Sequence, residues 1–472
     1  MTDALAATIN EPGPHSAPRH RLDALGVALS LLAATQHKTA IGGRVTEVTP
    51  TYCRVSGLSA FVKLGECVEL ATEDGPQLGE VVRIDAAGVV VKSFETVLRA
   101  GLGTTVWRRG FVTLSPHATW KGRTVNALGL AIDGGGPLTQ GQRAVSTERE
   151  PPAPMRRQRI RTPVRTGVKA IDLFAPVCAG QRVGIFAGSG IGKSTLLAML
   201  ARSQGFDTCV IALVGERGRE VREFMEDVLG SSGKARTVAV VATGDESPMM
   251  RRLAPKTALT IAEHFRDQGE NVLLLVDSMT RFAHAAREVA LAAGEPPVAR
   301  GYTPSVFSEL PKLLERAGPG EEGGGAITGF FSVLVDGDDH NDPVADSIRA
   351  TLDGHIVLDR AIADQARYPA VNVLSSVSRL SNRAWTAEQA TLIMKLRAMI
   401  ARFEDTRDLR LMGGYRGGTD AALDRAIDLV PKLYEAIKQS PDDPPSVDAF
   451  QEIARAFAPE PAAADSPAPQ RS

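Results

Sequence analysis

The chain has 472 residues, enough for about three domains of ordinary size. Hydrophobic residues make up 43% of it and charged residues 23%, with a formal net charge of −1, so the composition is globular and gives no basic field for nucleic acid. The four cysteines form no C-x-x-C pair, and no apolar run is long enough to cross a bilayer. We therefore expect reduced thiols in a cytoplasmic protein, with neither a zinc site nor a membrane span.

Residues 1–38 are predicted to be a flexible N-terminus that carries an amphipathic docking helix. Residues 1–20 are rich in Pro, Ala and His, which favours mobility. Basic residues then precede an apolar run, as in a secretory signal, but Asp23 interrupts the junction, so docking is favoured over export. One apolar face repeats at helical spacing and consists of Leu22, Leu25, Leu29 and Leu32.

Residues 39–97 are predicted to form a small β-barrel domain. Short β-branched runs alternate there with turn residues, as in small closed barrels. Such barrels bind single-stranded nucleic acid when they carry a basic groove with stacked aromatics. Acidic and basic residues are mixed here and aromatics are few, so a structural collar is favoured over RNA binding.

A glycine-rich loop in the middle of the chain predicts a nucleotide site. An apolar run, Arg182–Phe186, predicts a strand before the loop, and helix-forming residues follow the loop. Such a turn presents backbone N–H groups and a helix N-terminus to phosphate. Lys193 would reach the β- and γ-phosphates, and the Ser194 hydroxyl would hold Mg²⁺. Ala187 stands where the strict pattern has Gly. The predicted binding residues are Gly188, Ser189, Gly190, Ile191, Gly192, Lys193, Ser194 and Thr195.

Residues 98–380 are predicted to be an α/β domain of the P-loop class with a mainly parallel sheet. Apolar strand cores alternate with helical stretches, and several are apolar almost throughout, as parallel strands covered on both faces are. Ligands should therefore lie at the carboxyl ends of the strands. The predicted cores are Val183–Phe186, Cys209–Val214, Val238–Val241, Val272–Val276, Phe330–Val335, His355–Leu358 and Ala370–Leu374.

Charged residues follow two of these cores. Glu216 and Arg217 follow the second core, where a carboxylate could polarise the attacking water and a guanidinium could hold phosphate. Asp277 closes the fourth core, where it could help to hold Mg²⁺. Arg281, one turn further on, faces either the phosphates or solvent. The alternatives for the first two groups, a solvated charged turn and a plain helix cap, are less favoured in this context.

Two features further along the chain each allow two interpretations, between which the residues alone do not decide. Arg379 follows the last core and is either an arginine finger for a neighbouring subunit's nucleotide or a structural salt bridge. The acidic run 336–342 suggests a metal site, but no spaced ligand set supports it, so a hydrogen-bonded turn is favoured.

Residues 381–457 are predicted to form a helical domain, and residues 458–472 a disordered tail. Thr386 and Gln389 form a capping box, and Leu392, Leu396, Ile400 and Phe403 follow as a helical stripe. A second helix is predicted to start near Asp420, with Pro431 kinking or restricting it.

Together these motifs resemble the catalytic subunits of rotary ATP synthases, and most of all the type III export ATPases of the bacterial flagellum. The resemblance covers about residues 40–440. It is carried by Phe186–Ser194 with its unusual Ala187, Gly215–Glu220, Leu274–Phe282, Gly294–Pro297, Gly301–Phe307, Gly337–Asp346 and Ser376–Arg379.

The resemblance implies a homohexameric ring that hydrolyses ATP with Mg²⁺ at sites between subunits and so energises protein export. Tyr368, in Arg367–Ala370, resembles the aromatic that stacks on adenine, although a packed ring in a turn is the alternative. The implied roles are phosphate and Mg²⁺ binding for Lys193 and Ser194, water activation for Glu216, phosphate contact for Arg217 and Arg281, Mg²⁺ support for Asp277 and a trans finger for Arg379.

The same resemblance implies partners and a location. A stator-like regulator would bind the N-terminal helix, and the C-terminal side would meet a central stalk protein, chaperone–substrate complexes and the membrane export gate. The protein would be cytoplasmic and peripheral at the inner face of the cytoplasmic membrane, with no nucleic-acid partner.

Four other functions remain as alternatives. An injectisome-type export ATPase is a near relative, and a β-like subunit of a rotary ATP synthase is a more distant one. A non-catalytic ring subunit would lack the carboxylate of Glu216, which this chain has. A hexameric RNA translocase would need a basic groove, which the sequence does not offer.

Overall fold

The computed structural model describes residues 40–335 and 342–457. The predicted docking helix, the predicted tail and all of the acidic run except Asp342 lie outside the described residues. Among the helices in the described ranges, none combines the length and the apolar character that a bilayer crossing requires.

The first domain is a closed β-barrel with strand order β1-β2-β5-β4-β3-β6. The predicted boundary at residue 97 is too early, because the sixth strand closes the barrel by pairing with both the first and the third. The sixth strand carries Arg108 and Arg109, ion-paired with Glu66 and Glu69, and these two consecutive charges interrupt the apolar alternation of the strand in the sequence. The strands are β1 (Gly42–Val48), β2 (Cys53–Ser56), β3 (Cys67–Thr72), β4 (Gly75–Asp85), β5 (Gly88–Ser93) and β6 (Thr105–Gly110).

The central domain is built on a mainly parallel sheet with order β19-β18-β12-β17-β15-β13-β14-β8, and β16 pairs with β17 beside this path. Two small sheets, β7-β9 and β10-β11, accompany it. The strands are β7 (Thr113–Leu114), β8 (Thr124–Asn126), β9 (Val145–Ser146), β10 (Pro163–Val164), β11 (Val177–Cys178), β12 (Arg182–Ala187), β13 (Thr208–Val214), β14 (Thr237–Ala242), β15 (Asn271–Asp277), β16 (Gly318–Pro319), β17 (Ala326–Leu334), β18 (Gly354–Val357) and β19 (Val377–Ser378).

Six of the seven predicted strand cores lie in this sheet, but the seventh, Ala370–Leu374, is wrong. Only an isolated bridge between Leu358 and Val371 forms there. The Asn372 side chain accepts hydrogen bonds from the backbone N–H groups of Leu374 and Ser375, at 3.1 and 3.0 Å. This local turn replaces ladder pairing, so the sheet ends instead in the short antiparallel strand β19.

Helices cover both faces of the sheet, and every residue of β13 and β14 is buried. One large apolar cluster packs on each face, which explains the nearly continuous apolar cores. A π-helical turn, Phe224–Val228, follows the third helix. The helices are α1 (Lys169–Phe174), α2 (Lys193–Ala201), α3 (Gly218–Glu223), α4 (Gly230–Ala235), α5 (Pro248–Asp267), α6 (Met279–Ala292), α7 (Pro304–Arg316), α8 (Pro343–Thr351), α9 (Arg360–Ala363) and α10 (Ser381–Ala384).

Opposite charges join the barrel to the central domain. Arg252 on α5 contacts Glu80 of barrel strand β4 and Glu309 of α7, each at 3.0 Å. Lys256, one turn further along α5, contacts Glu309 at 2.8 Å and Glu148 at 2.6 Å. Burial raises the pKa of Glu80, while Arg252 and Lys256 act in the other direction. This cluster fixes how the barrel sits on the nucleotide domain.

The C-terminal domain is helical, as predicted. The capping box at Thr386 is confirmed, but Ile393 takes the buried position at which Leu392 was expected, and Leu392 is exposed. The second helix begins after Asp420, as predicted, and continues through Pro431 to Ile437. The helices are α11 (Ala387–Asp405), α12 (Arg407–Leu411), α13 (Ala421–Ile437) and α14 (Ala449–Ala456). Barrel, mainly parallel nucleotide domain and helical C-terminus together confirm the predicted fold class.

Candidate phosphate and nucleotide site

The glycine-rich loop joins β12 to α2 at the carboxyl end of the parallel sheet. Gly190 and Gly192 have φ of +78° and +91°, in the left-handed region that glycine adopts without strain. Gly192 is the N-cap of α2, so the first turn of that helix, with Lys193, points its N–H groups toward the loop. Arg360 on α9 donates to the Ser189 carbonyl at 2.9 Å and holds the loop from outside. Nothing in the sequence pattern indicated this arginine.

Four of the predicted side chains meet beside the loop. The Lys193 ammonium is ion-paired with Asp277 and lies 3.9 Å from Glu216 Oε1. Arg281 approaches the other oxygen of Glu216 at 3.4 Å. Lys193, Glu216 and Asp277 expose only 10%, 12% and 4% of their side chains. Two cations and two carboxylates therefore face one another in a largely dry site.

The pKa of Glu216 is raised above its ordinary value. Burial is the main cause, and the nearby Asp277 carboxylate is the second. Lys193 and Arg281 oppose the shift, because each favours the ionised carboxylate. A carboxyl group whose pKa is shifted in this direction suits proton exchange with water, as a general base requires.

Asp277 is held by a serine that the sequence reasoning missed. Ser332 on β17 is fully buried and donates to Asp277 Oδ1 at 2.7 Å. A signal was present in the sequence, since Ser332 is a polar residue between the apolar residues Phe331 and Val333 within a predicted strand core. The parallel register of β15 and β17 pairs Val276 with Phe331, so the next residues on the two strands lie side by side.

The residues at the loop fit a magnesium ion that is shared with a phosphate ligand. In the described residues no cluster of three His, Cys, Asp or Glu side chains could hold a metal by itself. Ser194 and Asp277 supply one hydroxyl and one carboxylate, and Mg²⁺ prefers such oxygens together with phosphate oxygens and water. The donor set therefore suits Mg²⁺ bound with a nucleotide rather than a free-standing metal site.

Tyr368 lies beside the phosphate loop. A Cβ atom built on Gly192 would be 3.8 Å from the Tyr368 ring. The residue is 46% exposed, and it lines a cavity of about 480 Å³ that is also lined by Thr195 in the first turn of α2. Gln439 closes the cavity and donates its backbone N–H to the Tyr368 carbonyl at 2.9 Å. This cavity has an aromatic wall next to the phosphate loop.

Arg379 lies at the opposite end of the strands from the loop. Its backbone N–H donates to the Asp353 carbonyl at 2.9 Å, and Asp353 is paired with Arg182 at the start of β12. The six residues of β12 separate that level from the loop, a distance of about 20 Å. The exposed Arg379 side chain forms no ion pair with any described residue and cannot reach its own chain's loop.

Arg217 does not join the cluster either. It is the N-cap of α3, its side chain is 74% exposed, and it pairs with Glu220 at 3.5 Å. The expectation that Arg217 contacts phosphate is therefore not met within one subunit.

Comparisons with protein families match the two larger domains separately. Residues 167–378 match the ATP synthase alpha/beta family, nucleotide-binding domain. Residues 385–453 match the T3SS EscN ATPase C-terminal domain. A protein named flagellum-specific ATP synthase from Agrobacterium fabrum is 57% identical over 425 residues, which is 90% of each chain. A protein of the same name from Rhizobium meliloti is 56% identical over 447 residues, covering 95% of this chain and 96% of that one.

A solved structure shares the whole described architecture. The assembled ATPase EscN of the enteropathogenic E. coli type III secretion system aligns with a TM-score of 0.81 at 38% identity, covering 88% of this chain and 99% of that one. The structure of EscN in complex with its central stalk EscO aligns with a TM-score of 0.79. Barrel, nucleotide domain and C-terminal helices thus occur together in a related assembly.

Proposed function

The chain belongs to the family of flagellum-specific ATP synthases and type III secretion ATPases, and from this membership we propose that it hydrolyses MgATP in a homohexameric ring that energises the export of flagellar proteins. The flagellar system is favoured over an injectisome because two flagellar relatives are 57% and 56% identical to this chain, whereas a type 3 secretion system ATPase from Xanthomonas euvesicatoria is 43% identical.

One observation carries the assignment of the active site: Lys193, Glu216, Asp277 and Arg281 converge beside the phosphate loop. Lys193 exchanges its carboxylate partners for the β- and γ-phosphates when nucleotide binds. Glu216 orients the attacking water and takes up its proton. Ser194 and Asp277 would hold a Mg²⁺ ion together with the nucleotide, and the ion would supply positive charge against the charge that develops on the phosphoryl oxygens.

The charges of the cluster indicate that one subunit does not complete the site. Its two cations and two carboxylates sum to zero, whereas MgATP brings a charge of about −2. More positive charge is needed where the γ-phosphate departs. Arg379 is a guanidinium without a described ion-pair partner, and it cannot reach the loop of its own chain. We assign it to the nucleotide of the neighbouring subunit.

Family membership also suggests partners and a location. EscN forms a complex with a central stalk protein, and we propose an equivalent stalk contact for the C-terminal side of this ring. A stator-like regulator at the N-terminal helix, chaperone–substrate complexes and the export gate complete the proposed set. These contacts would place the protein in the cytoplasm, at the inner face of the cytoplasmic membrane.

Glu216→Gln tests the assignment. The amide keeps the shape of the side chain but cannot take a proton, so we expect kcat to fall by roughly 10²–10⁴ while MgATP binding is retained. Glu223→Gln, on the exposed face of α3, is the matched control and should keep wild-type kcat. Steady-state hydrolysis and equilibrium binding of a fluorescent ATP analogue are the measurements. Full activity of Glu216→Gln would contradict the proposed mechanism.

A further inference from the structure

The segment Arg367–Pro369 forms a wall between the nucleotide site and the C-terminal domain. On one side, Tyr368 lines the 480 Å³ cavity beside the phosphate loop. On the other side, Arg367 lines a cavity of about 960 Å³ among the C-terminal helices. A third cavity of about 270 Å³ lies between them and is lined by both residues. Consecutive residues of one short segment thus face the base site and the helical domain.

Arg367 is held by one C-terminal helix, and a second helix braces that contact. Its guanidinium stacks on the Tyr434 ring of α13 at 3.8 Å from the ring centroid. The Tyr434 hydroxyl donates to Glu404 Oε1 of α11 at 2.6 Å. Burial, and then the bond to Glu404, raises the pKa of Tyr434, so the phenol stays protonated and remains a donor at neutral pH. The stack and the hydrogen bond form a chain from Glu404 through Tyr434 to Arg367.

The residue next to Arg367 is held from the other side. The Tyr368 carbonyl accepts from the backbone of Gln439, just beyond α13. The buried Gln439 side chain donates to the Gly167 carbonyl at 2.8 Å and accepts from the Lys169 N–H at 3.1 Å. These bonds fix the Tyr368 backbone to the nucleotide domain. The second attachment of the segment is the contact between Arg367 and the C-terminal helices.

We propose that Arg367, clamped by the Tyr434 ring that Glu404 braces, is a positioning residue that sets where the Tyr368 ring stands over the base, and so sets the affinity of the site for the base of ATP. This inference rests on the proposed role of Tyr368 in nucleotide binding. The C-terminal helices thereby act on base affinity through one guanidinium, without touching phosphate. The clamp should matter for ligands that carry a base and not for the triphosphate alone.

Arg367→Lys tests this, because lysine keeps the charge but loses the planar stacking surface. We expect KM for ATP to rise about five- to tenfold, because base stacking is weakened, and kcat to stay within about twofold of wild type. The inhibition constant of Mg-tripolyphosphate, which has no base, should not change. Tyr434→Phe keeps the ring but loses the bond to Glu404, and it should raise KM for ATP by a smaller factor.

Arg410→Lys is the matched control. Arg410 stacks on Phe403 at 3.7 Å in the same domain, but it lies outside the segment that carries Tyr368. This variant should leave both KM for ATP and the tripolyphosphate constant unchanged. An Arg367→Lys variant that weakens ATP and tripolyphosphate equally would overturn the inference, because a general structural loss would do the same.

Tyr368→Ala separates the inference from the function on which it rests. If Tyr368→Ala raises KM for ATP while both Arg367→Lys and Tyr434→Phe leave it unchanged, the clamp is refuted and the base-stacking role stands. If Tyr368→Ala itself leaves KM unchanged, the assignment of Tyr368 is wrong and the inference falls with it. A rise with Tyr368→Ala and with both clamp variants, at constant tripolyphosphate affinity, supports it.

Discussion

Mixing two inactive variants tests whether Arg379 acts on the nucleotide of a neighbouring subunit. Lys193→Ala removes the phosphate-loop lysine, and Arg379→Ala removes the guanidinium at the far end of β12. The two positions lie about 20 Å apart in one chain, much farther than an arginine side chain extends. Arg379→Ala alone should lose hydrolysis by roughly 10³–10⁵, the range in which arginine fingers act, and Lys193→Ala alone should be inactive because the phosphates lose their lysine.

The expected recovery follows from the geometry of the ring. A site between subunits is competent when one subunit supplies Lys193 and the next supplies Arg379. In a randomly assembled 1:1 mixture of the two variants, about a quarter of the sites meet this condition, so the rate should return to about a quarter of wild type. If both residues served the nucleotide of their own chain, no subunit in the mixture would hold an intact pair.

The assay is steady-state ATP hydrolysis after the variants are mixed as dissociated subunits and reassembled. The control mixes Arg379→Ala with the double variant Lys193→Ala/Arg379→Ala, in which no competent site can form. Mixed rings that stay at the level of either parent would refute the trans assignment, provided that size-exclusion chromatography shows rings of normal size. Activity of Arg379→Ala alone near wild type would refute any catalytic role for this residue.

Three further predictions concern single residues. Gly215→Ala should lower kcat. The φ angle is +70° at this position, and a new Cβ would lie 2.7 Å from Cδ of Arg281, so the Arg281 side chain would be pushed out of the site. An unchanged kcat would contradict this prediction. Ser332→Ala should raise the Mg²⁺ concentration for half-maximal hydrolysis by about tenfold, because Asp277 loses its supporting donor; an unchanged magnesium titration would count against the assigned ion site. Burial raises the pKa of Asp172 from 3.8 to about 6, so the native state binds this proton more tightly than the unfolded chain, and stability is lost as pH rises through that interval. Relative to Asp172→Asn, the wild type should therefore lose roughly 2.5 kcal/mol of unfolding free energy between pH 4 and 7, measured by denaturant titration, and a constant difference would exclude this linkage.

The sequence predicted those parts of the site that follow from a repeating physical rule. Parallel strands bring their carboxyl ends to one edge of the sheet. The sequence alone therefore predicted that Glu216 and Asp277, at the ends of two apolar strands, lie close together. The glycine spacing fixed the position of Lys193 in the same way. The barrel was predicted from alternation, except for β6, whose paired arginines break the apolar pattern.

The remaining parts depend on contacts between distant segments, which a single sequence does not encode locally. Arg360 reaches the phosphate loop from 171 positions away, and nothing around it resembles a motif. Asn372 turns the chain through its own side chain, which overrode the apolar character of the predicted last strand. Arg217 was predicted to contact phosphate because it lies next to Glu216 in a motif. In the structure Arg217 is the N-cap of α3, and this position leaves its side chain exposed.

The charge cluster of Arg252, Glu80 and Glu309 has a mechanical consequence for a working ring. Apolar surfaces slide past one another at little energetic penalty, but buried opposite charges hold one alignment, because any shift leaves a charge without its partner. We therefore expect the barrel to travel with the nucleotide domain as a single stiff piece. Movement during turnover would then occur at the other end of the subunit. The ring of barrels would stay fixed, and the C-terminal helices would be the part that moves.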